Sequence, residues 1–95
     1  MRLHHCFECL RENGDGGVVV FVTGGDPTVE VTIRAVVELA EAGVDAIEVG
    51  IPFSDPIADG PVIQASSERA LKSGTTIESL LSAVNEIRAY TDVPL

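Results

Sequence analysis

The side chains best suited to acid–base chemistry lie in one segment, residues 48–61. It reads Glu-Val-Gly-Ile-Pro-Phe-Ser-Asp-Pro-Ile-Ala-Asp-Gly-Pro, with three carboxylates within twelve residues. The pattern predicts a β-strand that breaks at Pro52, a loop carrying Asp55 and Asp59, and a helix that begins at Pro61. Paired carboxylates can deliver and accept protons. In parallel α/β folds, catalytic groups collect where strands end, so this segment is the candidate active site.

The strand that leads into the loop, residues 44–51, has two unlike faces. Ile47, Val49 and Ile51 share one face, which we expect to pack against helices. Glu48 lies on the other face, between two small residues. Because an unpaired carboxylate is costly in a closed interior, two readings of Glu48 stay open. It is either a structural acid with a buried polar partner, or an acid placed for chemistry in the space the sheet encloses.

Each loop acid also has a structural interpretation. Asp59 precedes Gly60 and Pro61, so it can cap the next helix, and this role is compatible with a catalytic one. Asp55 is followed by Pro56, which favours an Asx-turn or a contact residue over a catalytic group.

A second cluster lies at the N-terminus, where His4 and His5 precede Cys6 and Cys9. A C-x-x-C pair is typical of metal sites and redox pairs. No second Cys or His cluster follows, and no strand precedes Cys6, as a thioredoxin-type motif would need. We therefore predict no metal site and a short amphipathic helix over residues 2–12, with an apolar face formed by Leu3, Phe7 and Leu10.

Composition narrows the classes of partner. The 95 residues are 45% hydrophobic and 22% charged, which is typical of globular protein, and the net charge is −9. This charge argues against nucleic acid or an anionic membrane as the main partner. The sequence shows no signal peptide and no apolar run of the ~20 residues that a membrane span needs. We expect a cytoplasmic protein.

Before the candidate site, the pattern predicts one strand and one helix. Residues 18–23 form a β-branched run that fits a strand buried on both faces. Gly24 and Gly25 permit a tight turn, after which we expect Asp26 to cap a helix that ends near Ala42. Gly43 then suits the position after the helix.

After the candidate site, two helices are expected. The first begins at Pro61 and ends near Lys72, with Gly74 as its cap. The second opens with a capping box in which Thr75 is the N-cap and Glu78 the N3 residue. Residues 93–95 look like the start of a third strand.

Alternating strands and helices predict parallel strands joined by right-handed crossovers. Two strands and the start of a third cannot close a barrel or cover a parallel sheet on both faces. The expectation is therefore a single incomplete α/β domain over residues 1–95, the first two βα units of a larger fold.

Three segments together resemble one family. They are Phe-Val-Thr-Gly-Gly-Asp-Pro at 21–27, the stretch 45–61 with its highly specific E-x-G-x-P-F-S-D-P-x-A-D-G-P pattern, and Ile-Gln at 63–64 followed by a helix. This combination is similar to the tryptophan synthase alpha chain family. The resemblance implies a (β/α)₈ TIM barrel of typically ~250 residues, of which this chain matches the first third or so.

The resemblance also implies a reaction. Alpha chains of this family are lyases of tryptophan biosynthesis that cleave indole-3-glycerol phosphate to indole and glyceraldehyde 3-phosphate by a retro-aldol step. Glu48 then corresponds to the acid–base that protonates the indole ring carbon, and Asp59 to the carboxylate that faces the indole N–H. Phe21 corresponds to a residue lining the indole pocket.

The family further implies a partner. The loop after Glu48 touches a pyridoxal-phosphate beta chain in an alpha2-beta2 tetramer, which assigns Phe53, Asp55 and Pro56 to the interface and leaves the alpha chain without a cofactor. The phosphate-binding loops are expected beyond Leu95. Gly24, more often alanine in the family, and the His-His-Cys start depart from the pattern. Two other interpretations stay open: a non-catalytic fragment or interaction module that keeps the beta-chain contact loop, and an aldolase-type barrel with another substrate.

Overall fold

The computed structural model describes residues 2–55 and 58–95, which form alternating helices and strands around a parallel pair. The elements are α1 (Arg2–Asn13), β1 (Val19–Thr23), α2 (Val29–Glu41), β2 (Ala46–Gly50), α3 (Pro61–Lys72) and α4 (Ile77–Ile87). β1 and β2 pair in parallel, with Phe21 opposite Glu48. The predicted α/β alternation and parallel pairing are confirmed.

One face of the sheet carries the hydrophobic core. Val36 of α2, Ile47 of β2, Ile87 of α4 and Val93 are buried together, and Val49 packs against them. The predicted aliphatic face of β2 is therefore confirmed for Ile47 and Val49. It is wrong for Ile51, which lies beyond the last paired residue of β2 and is 53% exposed.

The predicted start of a third strand lies beside β2 without forming a regular strand in the described residues. The amide of Ile47 donates a hydrogen bond of 2.9 Å to the carbonyl oxygen of Pro94. The Arg88 guanidinium supports the same segment by donating 2.6 Å to the carbonyl oxygen of Val93. Burial, and to a smaller degree the nearby charge of Arg2, lowers the pKa of Arg88.

The predicted N-terminal helix is confirmed as α1, which packs loosely. None of its described residues is buried, and Leu3 and Phe7 are exposed. Its link to the sheet is polar, since the Cys6 thiol donates to the carbonyl oxygen of Asp45 at 3.3 Å. The Asp45 carboxylate in turn accepts 2.7 Å from the amide of Val18, which joins the starts of both strands.

The predicted N-caps of α2 and α4 are wrong. Thr28, not Asp26, caps α2 and accepts a hydrogen bond from the amide of Val31, because the turn after β1 places Asp26 against another helix. The predicted capping box is shifted by one residue. Thr76 and Ser79 form it instead of Thr75 and Glu78, because Thr75 is buried where the turn before α4 meets Gly25.

Candidate active site

Phe21 and Glu48 lie on the sheet face opposite the core. They are direct partners across the parallel pair. Ile47 and Val49, which flank Glu48 in the sequence, point the other way into the core. The Phe21 ring covers Gly50 so closely that a Cβ built there would lie 2.8 Å from its Cε2 atom. This face therefore presents an aromatic ring beside a carboxylate, a combination suited to a flat aromatic ligand that exchanges a proton.

Glu48 is exposed, and it has no hydrogen-bond or ion-pair partner within residues 2–55 and 58–95. The structural interpretation, in which a buried polar group holds this acid, is therefore not supported. Phe21 and Glu48 are both exposed among the described residues, so the expected enclosure of Glu48 is also absent there. The predicted direction of the side chain, away from the core, is confirmed by the register of β2.

The loop after β2 is anchored at its start and open beyond it. Pro52 is buried, whereas Phe53 is 63% exposed and Asp55 is exposed. This exposure is compatible with the predicted contact role of Phe53, although Val62 and Leu81 are exposed to a similar degree. Pro56, the third predicted interface residue, lies outside the described residues.

Asp59 is held through its backbone. Its carbonyl oxygen accepts a hydrogen bond of 2.7 Å from the side-chain amide of Gln64, one turn inside α3. The predicted capping role of Asp59 is wrong, because Gly60 is the N-cap of α3 and no side chain caps it. The exposed Asp59 carboxylate is therefore left available for other contacts.

The turn after β1 is fitted closely to β2 and α2. The amide of Gly24 donates 2.8 Å to the carbonyl oxygen of Gly50, and the amide of Gly25 donates 2.8 Å to the hydroxyl of Thr32. Hydrogen bonds at this edge hold the carboxyl ends of both strands together. The backbone around the candidate site is therefore held by hydrogen bonds, whereas the side chains of Phe53 and Asp55 in the loop after β2 are exposed.

Polar residues that sequence reasoning missed attach α3 to the same edge. The hydroxyls of Thr23 and Ser66 are 2.7 Å apart, and the Arg69 guanidinium pairs with both oxygens of Asp26 at 2.8 and 3.0 Å. The hydrogen bond that Arg69 donates to Asp26, followed by the negative charge of Asp26, raises the pKa of Arg69 further above its already high value. The sequence gives no usable signal for these contacts, because no local pattern distinguishes a buried serine such as Ser66 from an exposed one.

The histidine and cysteine cluster lies on α1, away from this edge. Cys6 and Cys9 are both free, and the Cys9 thiol lies 3.6 Å from Nε2 of His5. Across residues 2–55 and 58–95, no group of three or more His, Cys, Asp or Glu side chains could hold a metal ion. Nor does any helix in these ranges have the length and apolar character to cross a bilayer.

Comparison with known proteins decides the family. Residues 7–95 match the family model described as tryptophan synthase alpha chain. The chain belongs to the tryptophan synthase alpha chain family. It is 51% identical over 94 residues to the alpha chain of Citrifermentans bemidjiense, and 49% identical to that of Thermoanaerobacter sp. strain X514. These alignments cover 99% of this chain but only 35% and 36% of the two relatives.

Solved alpha chains share the fold. Tryptophan synthase subunit alpha from Legionella pneumophila strain Paris superposes with a TM-score of 0.93 at 36% identity, over 98% of this chain and 36% of that one. The tryptophan synthase complex of Pyrococcus furiosus gives 0.79 at 44% identity, over 84% of this chain and 33% of that one. The predicted fold, the N-terminal part of a TIM barrel, is confirmed, and the chain spans about a third of the length of these relatives.

Proposed function

We propose that this chain supplies the acid–base part of a tryptophan synthase alpha active site, in which indole-3-glycerol phosphate is cleaved to indole and glyceraldehyde 3-phosphate. The observation that carries the proposal is the register of the parallel pair, which puts Glu48 beside Phe21 on the face that a barrel encloses. Membership of the alpha chain family supports the choice of substrate.

The proposed step needs one proton donor and one fixed anion. Glu48 protonates the indole ring carbon that bears the glycerol chain, and its carboxylate then takes the proton from the hydroxyl of the adjacent chain carbon. The carbon–carbon bond breaks, its electrons return to the ring, and the chain carbon becomes the aldehyde. Asp59 accepts a hydrogen bond from the ring N–H and stabilises the positive charge that develops on nitrogen.

The remaining parts of the proposal concern the surroundings of the site. Phe21 lines the indole pocket, and residues outside this chain bind the phosphate. Phe53, Asp55 and Pro56 contact a beta chain in an alpha2-beta2 tetramer, as the exposure of Phe53 supports. Pyridoxal phosphate belongs to that partner, since the alpha step as written requires only proton transfer by carboxylates. The compartment we propose is the cytoplasm.

A chimera tests the reaction. Residues 1–95 replace the matching part of the Citrifermentans bemidjiense alpha chain, and indole release from indole-3-glycerol phosphate is measured. We expect activity, and a loss of about 10²- to 10⁴-fold in both Glu48→Gln and Asp59→Asn, because each removes one charge-bearing group from the transition state.

Glu68→Gln is the matched control, because it removes an exposed carboxylate on α3 whose one ion-pair partner among the described residues is Lys72. It should leave indole release within about twofold. Full activity in the Glu48 and Asp59 variants would contradict the roles assigned here.

A second candidate function is an interaction module, favoured by the exposed Phe53 together with the uncovered Glu48 face. Here the 95-residue chain binds a beta chain without cleaving substrate. Calorimetric titration with a beta chain distinguishes it: binding that Phe53→Ala weakens, with no indole release by the chain, supports the module, and absence of binding rejects it.

A further inference from the structure

Helix α3, which follows the Asp59 loop directly, is held on the sheet by small and polar contacts. Its buried residues are Ser66, Ser67 and Ala70, so little apolar surface fixes its position. The core, by contrast, takes large aliphatic side chains from α2 and α4. The orientation of α3 must therefore depend on specific polar contacts.

Two hydroxyl contacts join α3 to the end of β1. The Ser66 hydroxyl lies 2.7 Å from that of Thr23, and it donates 2.8 Å to the carbonyl oxygen of Ile63 in its own helix. Thr23 is therefore the donor of the bond between the two hydroxyls. At the other end of α3, the hydroxyl of the C-cap residue Ser73 donates 2.8 Å to the carbonyl oxygen of Ala70 and lies 3.3 Å from that of Gly25, in the turn after β1.

The charged contact is more specific. Arg69 pairs with Asp26 through two nearly parallel bonds of 2.8 and 3.0 Å, and the Asp26 side chain is only 17% exposed. Such a bidentate pair fixes both distance and direction. The ion pair of Lys72 with Glu68 is a single contact of 3.2 Å within one helix, between side chains that are 75% and 68% exposed. Arg69 is also exposed, at 57%, so the two pairs differ in the number of bonds, in the elements they join and in the burial of Asp26.

Hydrogen bonds in the first turn of α3 connect the helix to the backbone of Asp59. The amide of Gln64 donates 3.0 Å to the carbonyl oxygen of Gly60, and the Gln64 side chain donates 2.7 Å to that of Asp59. Asp59 thus moves with the helix. We propose that Asp26 and Arg69 are positioning residues that hold α3 on β1, and thereby fix the place of Asp59 before the first turn of α3; this rests on the function proposed above.

The anchoring step is tested on the 95-residue chain by amide hydrogen exchange. Arg69→Ala should speed exchange of the α3 amides, residues 64–72, by about tenfold, because the contact that opposes local opening is lost. The α4 amides should change less than about twofold, and so should all amides in Lys72→Ala, which removes the same charge one turn from the pair. Equal acceleration in α3 and α4, or no acceleration, would overturn the anchoring.

The catalytic step is tested in the chimera. Arg69→Ala should lower kcat about tenfold with KM little changed, since a misplaced Asp59 weakens the transition state more than substrate binding. In an Asp59→Asn background, the same change should cost less than about twofold, because there is no catalytic carboxylate left to place. Equal losses in both backgrounds would mean that Arg69 does not act through Asp59.

Two further variants separate charge from geometry. Arg69→Lys keeps the charge but not the planar pair of donors, so it should recover only part of the loss. The double exchange Asp26→Arg with Arg69→Asp should recover more activity than either single change. If the unaltered chimera releases no indole, the proposed function fails, whereas the exchange measurement still decides whether this pair anchors α3.

Discussion

At the scale of single residues, Gly25 has the least room for change. Its φ of +88° lies in the left-handed region, and a Cβ there would overlap the hydroxyl of Thr75, which is itself buried. Gly43 shares the unusual backbone, with φ of +96°, but a Cβ at that site meets nothing within 4 Å. Comparing substitutions at the two glycines therefore distinguishes the cost of a left-handed backbone from the cost of a steric clash.

We expect Gly25→Ala to lower the free energy of unfolding by about 3 kcal/mol, from strain and overpacking together. Gly43→Ala should cost about 1 kcal/mol, the strain alone. Urea unfolding followed by circular dichroism measures both. Equal losses in the two variants would show that the contact between Gly25 and Thr75 does not restrict the turn.

The sequence predicts the direction of a side chain correctly where the strand period alone decides it. The strand period of two placed Ile47 and Glu48 on opposite faces, as found. It failed for Asp26, because an acid before a helix reads as a cap, whereas its partner Arg69 lies 43 residues further on. No local pattern encodes a contact over that separation.

At the scale of elements, α4 depends on its first turn. Thr76 accepts a hydrogen bond from the amide of Ser79, and the Ser79 hydroxyl returns to the amide of Thr76, at 3.0 and 2.9 Å. This reciprocal pair satisfies donors that have no partner within the helix. α4 then supplies Leu80, Ala83 and Ile87 to the interior.

Removing this cap should therefore weaken α4. We expect Thr76→Ala to lower the free energy of unfolding by about 1 kcal/mol. Ser82→Ala, an exposed change inside the same helix, should leave it unchanged or slightly higher because alanine favours helix. Thermal unfolding distinguishes them, and a Thr76 variant as stable as the Ser82 variant would contradict the capping role.

Element order and bounds were largely predictable, because hydrophobic period and glycine placement act locally. α3 was predicted to begin at Pro61 and end near Lys72, and its observed bounds are Pro61–Lys72. The attachment of α3 to β1 was not, because serine and arginine on a helix normally indicate an exposed face. The same holds for the candidate site. Its residues and the strand face of Glu48 could be predicted from the sequence, whereas the contacts that hold α3 and the backbone of Asp59 could not.

At the scale of the whole molecule, one face of the sheet packs against α2 and α4, whereas within the described residues much of the other face is exposed. Val19 and Phe21 lie on that exposed face, 48% and 46% exposed, and among residues 2–55 and 58–95 no strand pairs with the outer side of β1. An open apolar face beside a free strand edge is a surface for self-association.

The 95-residue chain should therefore associate reversibly, and Val19→Lys should raise its dissociation constant about tenfold by placing a charge on that face. Val62→Lys makes the same charge change on α3, where the side chain is 77% exposed, and should have little effect. Sedimentation across a concentration series measures all three proteins. A monomer at every concentration, or equal effects of both lysines, would exclude association through this face.

Because the Phe21 ring packs directly against Gly50, substitutions at these two positions that aim to alter ligand preference are coupled. Because the ring occupies the space where any larger residue at Gly50 would begin, the two positions cannot be varied independently. A smaller side chain at Phe21 makes room for a larger one at Gly50, shifting bulk from β1 to β2 without emptying the face. Libraries that randomise both positions together reach pocket shapes that single-site libraries of either cannot.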